Sequence, residues 1–268
     1  MKISFIGFGN MAKAIARGFQ RKTSDQLFAS SPSLPAGSTL ADGIIAFNDN
    51  RKILQDATIT ILGVKPAKVA EVMQEIGSLL DPETVLLSIV AGVSIQNLAS
   101  FCRPGQAIVR SMPNLPIEIQ QGATPLTTNT FVSDLQKLQV EGLFAQSSLI
   151  TWCSEDSMNA YTALSGSGPA YVFLFVEALL KGAEALGLSA EEAQQFTVQT
   201  MSGSLQFLQT SQQSLQDLRT RVTSPGGTTA AALAIFEQRQ FNDIVAEALK
   251  AACERAAELD SINNNYNK

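Results

Sequence analysis

The chain has 268 residues, 45% hydrophobic and 16% charged, with a formal net charge of −5 and no histidine. That apolar share supports a packed core and excludes disorder over most of the length. The acidic balance, without a basic stripe, argues against nucleic acid as the main partner. The missing histidine excludes a histidine base, a Ser-His pair or a histidine-bearing metal site.

Lys2–Ile6 reads as a strand, and Met11–Arg21 as a helix with Met11, Ile15, Gly18 and Phe19 at helical spacing. Gln26–Ser30 is a second short strand; Thr58–Val64 and Thr84–Val90 are apolar, β-rich runs of the buried kind. Ile108–Arg110 and Gly122–Leu126 are weaker strand candidates, and Ala67–Leu80 and Ile95–Phe101 carry helical patterns. Strand and helix in alternation predict βαβ units and a mostly parallel sheet.

Beyond about Cys153 the β-rich runs stop. Ser165-Gly166-Ser167-Gly168-Pro169 opens a helix with proline in its first turn, and Tyr171–Leu180 is apolar on nearly every side, as in a core or an interface. Gly187 ends that helix, Ser189-Ala190-Glu191-Glu192 forms a capping box for the next, and a last helix runs from about Phe241 to Leu259. The predicted organisation is an α/β Rossmann domain over residues 1–153 and an all-α domain over 154–268. The N-terminus lacks the features of a signal peptide. The uncharged stretch Ser157–Val176 is broken by Ser165–Pro169, which a membrane span does not tolerate easily. A cytoplasmic protein without a membrane segment is expected. Cys102, Cys153 and Cys253 have no metal-ligand spacing and read as reduced, buried structural thiols.

Gly7-Phe8-Gly9-Asn10-Met11-Ala12 follows the first strand and opens the first helix. Gly7 permits a tight turn, Gly9 lets backbone approach a pyrophosphate, and Ala12 keeps helix and strand close. Dinucleotide binding is the functional reading; a purely structural turn is the bland one. Where NAD-binding folds place an acidic residue after the second strand, this chain has Ala29-Ser30-Ser31-Pro32, and Asp25 lies at the wrong end of the strand. The pattern leans to NADPH over NADH, although no arginine follows to grip a 2′-phosphate. A second turn, Val222-Thr223-Ser224-Pro225-Gly226-Gly227-Thr228-Thr229, precedes an alanine-rich helix. It is either a pocket of N–H groups and hydroxyls for a small carboxylate or an ordinary capped helix start.

Together with Val64-Lys65-Pro66, Ala91-Gly92-Val93-Ser94, Met112-Pro113-Asn114 and Leu164–Tyr171, these segments resemble the pyrroline-5-carboxylate reductase family along almost the whole chain. The resemblance implies reduction of 1-pyrroline-5-carboxylate to L-proline by NADPH or NADH, the last step of proline biosynthesis. It implies that Gly7, Gly9, Asn10 and Met11 hold the pyrophosphate. Ser31, Ser33 and Asn48 would lie near the adenosine ribose, and Val64, Lys65, Pro66 and Ala91 would line the rest of the groove. Ser224, Gly226, Gly227, Thr228 and Thr229 would take the substrate carboxylate, and Thr229, the catalytic candidate, would hydrogen-bond the ring nitrogen. It also implies a homodimer through the helical domain, with assembly into a decamer, and no metal. Two positions depart from the family pattern: Leu115 replaces a frequent threonine, and Gln212 stands nearest to where some members have an acidic residue.

The absence of histidine suits this chemistry. A ketone gaining hydride becomes an alkoxide and needs a proton donor, whereas a protonated imine is simply neutralised and needs orientation. The β-hydroxyacid dehydrogenases share the two-domain plan but carry a lysine on the helix that here begins Gly168-Pro169-Ala170; this chain has none there until Lys181. A non-catalytic binder of the same cofactor is the other alternative.

Overall fold

A computed structural model describes residues 1–19, 25–40 and 43–264. Eight strands form one sheet: β1 (Lys2–Ile6), β2 (Gln26–Ser30), β3 (Ile45–Phe47), β4 (Ile59–Leu62), β5 (Val85–Ser88), β6 (Ile108–Ser111), β7 (Gly122–Thr128) and β8 (Ser148–Trp152). Their order is β3-β2-β1-β4-β5-β6-β7-β8. The first six are parallel; β7 runs antiparallel to β6, and β8 pairs parallel with β7. The helices of this region are α1 (Asn10–Gly18), α2 (Val69–Ile76), α3 (Ile95–Ala99), α4 (Asp134–Phe144) and α5 (Met158–Tyr161).

Alternation along each strand divides the core between the two faces of the sheet. Ile3, Phe5, Ile59, Ile61, Val85 and Leu87 pack on Ala12 and Ile15 of α1. Ile6, Leu62, Leu86 and Ile108 pack on Met73 and Ile76 of α2. All four residues of β4 and of β5 are buried, which is why both read as unbroken apolar runs.

The helical remainder comprises α6 (Gly168–Ala185), α7 (Ala190–Thr210), α8 (Leu215–Arg221), α9 (Thr228–Gln238) and α10 (Phe241–Asn264). The chain forms two compact units, Met1–Pro169 with Ala251–Lys268, and Ala170–Lys250. Within the second, the Phe241 ring lies 6.2 Å from that of Phe175 and 5.3 Å from that of Phe236. In the first, Arg110 is 3% exposed, and its Nη1 donates to Glu155 Oε1 at 2.9 Å while Nη2 donates to Asp260 Oδ1 at 3.3 Å. Glu155 Oε1 also accepts the Ile95 N–H at 3.1 Å. One cation thereby ties β6 to the segment before α5 and to the end of α10.

Several expectations need correction. The helix predicted over Ala67–Leu80 is α2 flanked by 3-10 turns at Pro66–Lys68 and Gly77–Leu79. The helix predicted over Met11–Arg21 ends at Gly18, and the stretch beyond Phe19 lies outside the described residues. No residue of α6 is buried within its own chain, which removes the core reading of Tyr171–Leu180. The path Glu155–Ala185 continues through Ser165–Pro169 as helix, with a widened π turn at Thr162–Gly166 and a bend at Ser167. By length and composition alone this path could cross a membrane. The three thiols are free but only half-buried.

Candidate active site

Parallel register brings the carboxyl ends of the strands to one edge. Ile6 sits opposite Ser30 and Leu62, Leu62 opposite Ser88, and Ser88 opposite Arg110. The chain leaves β1 toward β2 and β3 on one side, then returns to β4 on the other, so the crevice at this switch point lies between β1 and β4. Gly7 and Val64 occupy it.

Gly7 closes the first turn at φ +82°, donating its N–H to the Ser30 carbonyl at 2.8 Å. A Cβ there would meet Val64 Cγ1 at 2.8 Å and the Gly63 carbonyl at 2.9 Å, so only glycine fits. Gly9 is the N-cap of α1; no side chain caps this helix, its first turn carries no acidic residue, and a Cβ on Gly9 would meet nothing within 4 Å. Asn10 and Met11 follow at the open end, while Ala12, 1% exposed, packs into the core. Free amides, a positive dipole end and open space beside glycine match the needs of a diphosphate.

On the β2 side, Ser31 donates its N–H to the Phe47 carbonyl at 3.1 Å, which brings Ser31 beside Asn48 at the tips of β2 and β3. Ser31 Oγ and Ser33 Oγ are 3.3 Å apart and accessible. Asp25, at the opposite end of β2, binds the chain's own N-terminal ammonium group. Asp49 caps the next 3-10 turn by accepting the Arg51 N–H at 3.1 Å. On the β4 side, Val64 touches Gly7, Lys65 is exposed, and Pro66 opens the 3-10 turn. Ala91 follows β5, one strand further on. The eleven cofactor candidates thus share one edge of one sheet.

Ser224–Thr229 lies in the other compact unit. Gly227 donates its N–H to the Ser224 carbonyl at 3.0 Å, and Gly226 adopts φ +71°. Gly227 is the N-cap of α9; no side chain caps this helix, and no acidic residue lies in its first turn. Serines cap α3, α4, α7 and α8 through Ser94, Ser133, Ser189 and Ser214, with full capping boxes on α4 and α7. By contrast, α1 and α9 are each led by glycine and left open. Thr229 is half-buried in the first turn of α9, and Gln212 is exposed before α8.

Asn114 did not stand out as a site residue in the sequence. It is 8% exposed; Nδ2 donates to the Ser165 carbonyl at 3.0 Å, and Oδ1 accepts the Ala123 N–H at 2.8 Å. The bond to Ser165 joins residues 51 apart in sequence, which no local pattern announces.

The family model for pyrroline-5-carboxylate reductase dimerisation matches residues 155–259. The Pseudomonas aeruginosa pyrroline-5-carboxylate reductase is 37% identical over 263 residues, covering 96% of each chain. This chain belongs to the pyrroline-5-carboxylate reductase family. Human pyrroline-5-carboxylate reductase 2 is 35% identical, covering 98% of this chain and 85% of its own. A second model, for NADP oxidoreductases dependent on coenzyme F420, matches residues 2–92. The Plasmodium falciparum pyrroline carboxylate reductase, solved with NADP bound, superposes with a TM-score of 0.88 at 31% identity, covering 97% of this chain and 98% of its own. The Coxiella burnetii enzyme gives 0.85 at 36% identity, covering 96% and 97%. For this member of the reductase family, the Rossmann expectation for the parallel sheet and the all-α character of the C-terminal region agree with these relatives.

Proposed function

We propose that this chain reduces 1-pyrroline-5-carboxylate to L-proline with a nicotinamide dinucleotide, NADPH in preference to NADH, as the last step of proline biosynthesis. The observation that carries the reading is that α1 and α9 are each led by glycine, with no side-chain cap and no carboxylate in the first turn, whereas serines cap α3, α4, α7 and α8. Two such ends serve two anions: the diphosphate of a cofactor and the carboxylate of a small acid.

Gly7, Gly9, Asn10 and Met11 hold the diphosphate; Ser31, Ser33 and Asn48 face the adenosine ribose, and the serine hydroxyls donate to a 2′-phosphate that a carboxylate would repel. Val64, Lys65, Pro66 and Ala91 line the rest of the groove. Ser224, Gly226, Gly227, Thr228 and Thr229 take the substrate carboxylate. When bound, the dihydronicotinamide supplies hydride to the imine carbon. The protein has no alkoxide to protonate, because the iminium nitrogen already carries the positive charge that hydride neutralises. Thr229 orients that nitrogen by a hydrogen bond at its hydroxyl and transfers no proton.

In this reading residues 1–153 serve the cofactor, and residues 154–268 carry the substrate turn and a dimer surface. The exposed apolar face of α6 meets a second copy, and dimers assemble into a decamer in the cytoplasm. Purified protein is expected to oxidise NADPH on addition of pyrroline-5-carboxylate. Thr229→Ala is expected to lower kcat about ten- to a hundredfold, with NADPH affinity changed less than about twofold. Unaltered turnover in that variant would remove Thr229 from its role, and a wild-type protein without turnover would remove the function.

A further inference from the structure

The Leu164–Pro169 motif takes no part in either anion-binding turn, yet it forms the least regular helical segment in the first unit. Residues Thr162–Gly166 make a π turn, closed by the Ser167 N–H donating to the Thr162 carbonyl at 2.9 Å. The Thr162 and Ser165 hydroxyls donate to the carbonyls of Met158 and Tyr161, each at 2.9 Å. A π turn disturbs the regular i→i+4 ladder, and such turns recur at functional sites. Here the Ser165 carbonyl accepts from Asn114.

Asn114 uses both ends of its amide, donating to Ser165 and accepting from Ala123 at the start of β7. The amide offers a neutral donor and acceptor in one plane, which an ionised aspartate of the same length does not. Gly166 packs on the same loop: a Cβ there would lie 3.0 Å from Met112 Cε and 3.4 Å from Met112 Cγ. Met112–Asn114 and Ser165–Gly166 therefore form one block, with a buried bifunctional amide as its bolt.

The place of this block on the sheet gives it a use. Ser111 Oγ donates to the Ser88 carbonyl at 3.2 Å, so Met112 leaves the carboxyl end of β6 beside the tip of β5. Along the strand order, Ser31 lies on one side of Gly7, and Val64, Ala91 and then Met112 lie on the other. A dinucleotide with its adenosine at β2 and its diphosphate at Gly7 would extend its nicotinamide toward β5 and β6. We propose that Asn114 is a positioning residue for hydride transfer: it fixes the Met112–Leu115 loop to the π turn as one wall beside the reacting ring, without touching that ring. The inference rests on the reductase reading above.

The test uses the full chain, Asn114→Asp and Asn114→Ala, with pyrroline-5-carboxylate and NADPH. At a pH where the new carboxyl group is ionised, Asn114→Asp keeps an acceptor for Ala123 but loses the donor to Ser165. In the folded variant, kcat is expected to fall about tenfold or more while NADPH affinity moves less than about twofold. The isotope effect with NADPH deuterated at the transferred position is expected to rise, because a misaligned hydride step becomes more fully rate-limiting. A structural role alone would lower the active fraction and leave the isotope effect unchanged. That result, or kcat within twofold of wild type in folded Asn114→Asp, overturns the proposal. If neither Asn114 variant folds, Gly166→Ala presses the wall from the Met112 side and carries the same two expectations. Wild-type protein that never oxidises NADPH defeats the reductase reading and this inference together; an active wild type with unaffected variants defeats this inference alone.

Discussion

Gly7 excludes a side chain twice over, by its φ of +82° and by the Val64 and Gly63 atoms that a Cβ would strike. Gly7→Ala must therefore move the turn that presents the α1 amides. A loss of about 1–3 kcal/mol in stability is expected from the strained backbone, with NADPH affinity at least about tenfold weaker; thermal melts and a fluorescence titration read the two effects separately. Gly9 makes the useful contrast, because a Cβ there strikes nothing in the protein. Gly9→Ala is expected to melt close to wild type yet bind NADPH more weakly, since the methyl group intrudes only on the ligand's space. Equal binding by the two proteins would detach Gly9 from the diphosphate. Cys102 is a residue-scale case without a catalytic role. Burial pushes its thiol up to about 11, and its Sγ–H donates to the Leu98 carbonyl at 3.4 Å. At pH 8 it stays protonated, so native protein is expected to leave Cys102 unmodified by iodoacetamide, and denatured protein to expose it to modification. Peptide mass mapping distinguishes the two states.

At the scale of elements, the Arg110 cluster holds β6, the start of α3 and the end of α10 together. Arg110→Met leaves Glu155 and Asp260 without their cation, and a cost near about 3 kcal/mol is expected, the lower end for a broken buried pair because both carboxylates keep some contact with water. Burial raises the pKa of Asp260, Arg110 lowers it and Glu155 raises it again, with burial the largest influence. A raised carboxylate contributes stability that is complete below the unfolded-state value, near about 4, and is lost as pH rises through the folded value. Asp260→Asn removes that loss, so its melting temperature is expected to depend less on pH from about 4 upward than that of wild type. A steeper dependence in the variant would contradict the assignment. Neither this cluster nor the Asn114 bolt was legible beforehand, because each joins residues far apart in sequence through single polar atoms. Elements with a local cause were legible: β1, β4 and β5 as apolar runs, and α7 from its Ser189–Glu192 capping box. The strand β3 has three residues, too few to establish a period, and β8 alternates between exposed and half-buried positions at the sheet edge. In α4 the buried residues Val140, Leu143 and Phe144 gather toward its end and leave no full stripe to detect. The glycine turns were legible because their chemistry is local, whereas the openness of α1 and α9 required seeing that no side chain folds back to cap them.

The molecule as a whole carries more exposed apolar surface than one chain can explain by itself. Phe173 and Leu174 on α6 are 54% and 67% exposed, and Phe196 on α7 is 70% exposed. Apolar area of this kind marks an interface, and a homodimer is the proposed occupant. Light scattering on size-fractionated protein at micromolar concentration is expected to give at least twice the chain mass. Leu174→Glu tests the face directly, because a side chain so exposed contributes little to packing within its own chain. The variant is expected to shift toward monomer and to lose both turnover and thermal stability as it is diluted, while its helical content at high concentration remains that of wild type. Concentration decides between the readings: a residue needed inside one chain would cost the same stability at every dilution, whereas one needed between chains costs more as partners become scarce. Wild-type protein that stays monomeric throughout, or that sediments with lipid vesicles through Glu155–Ala185, would move this face from a protein partner to another solvent.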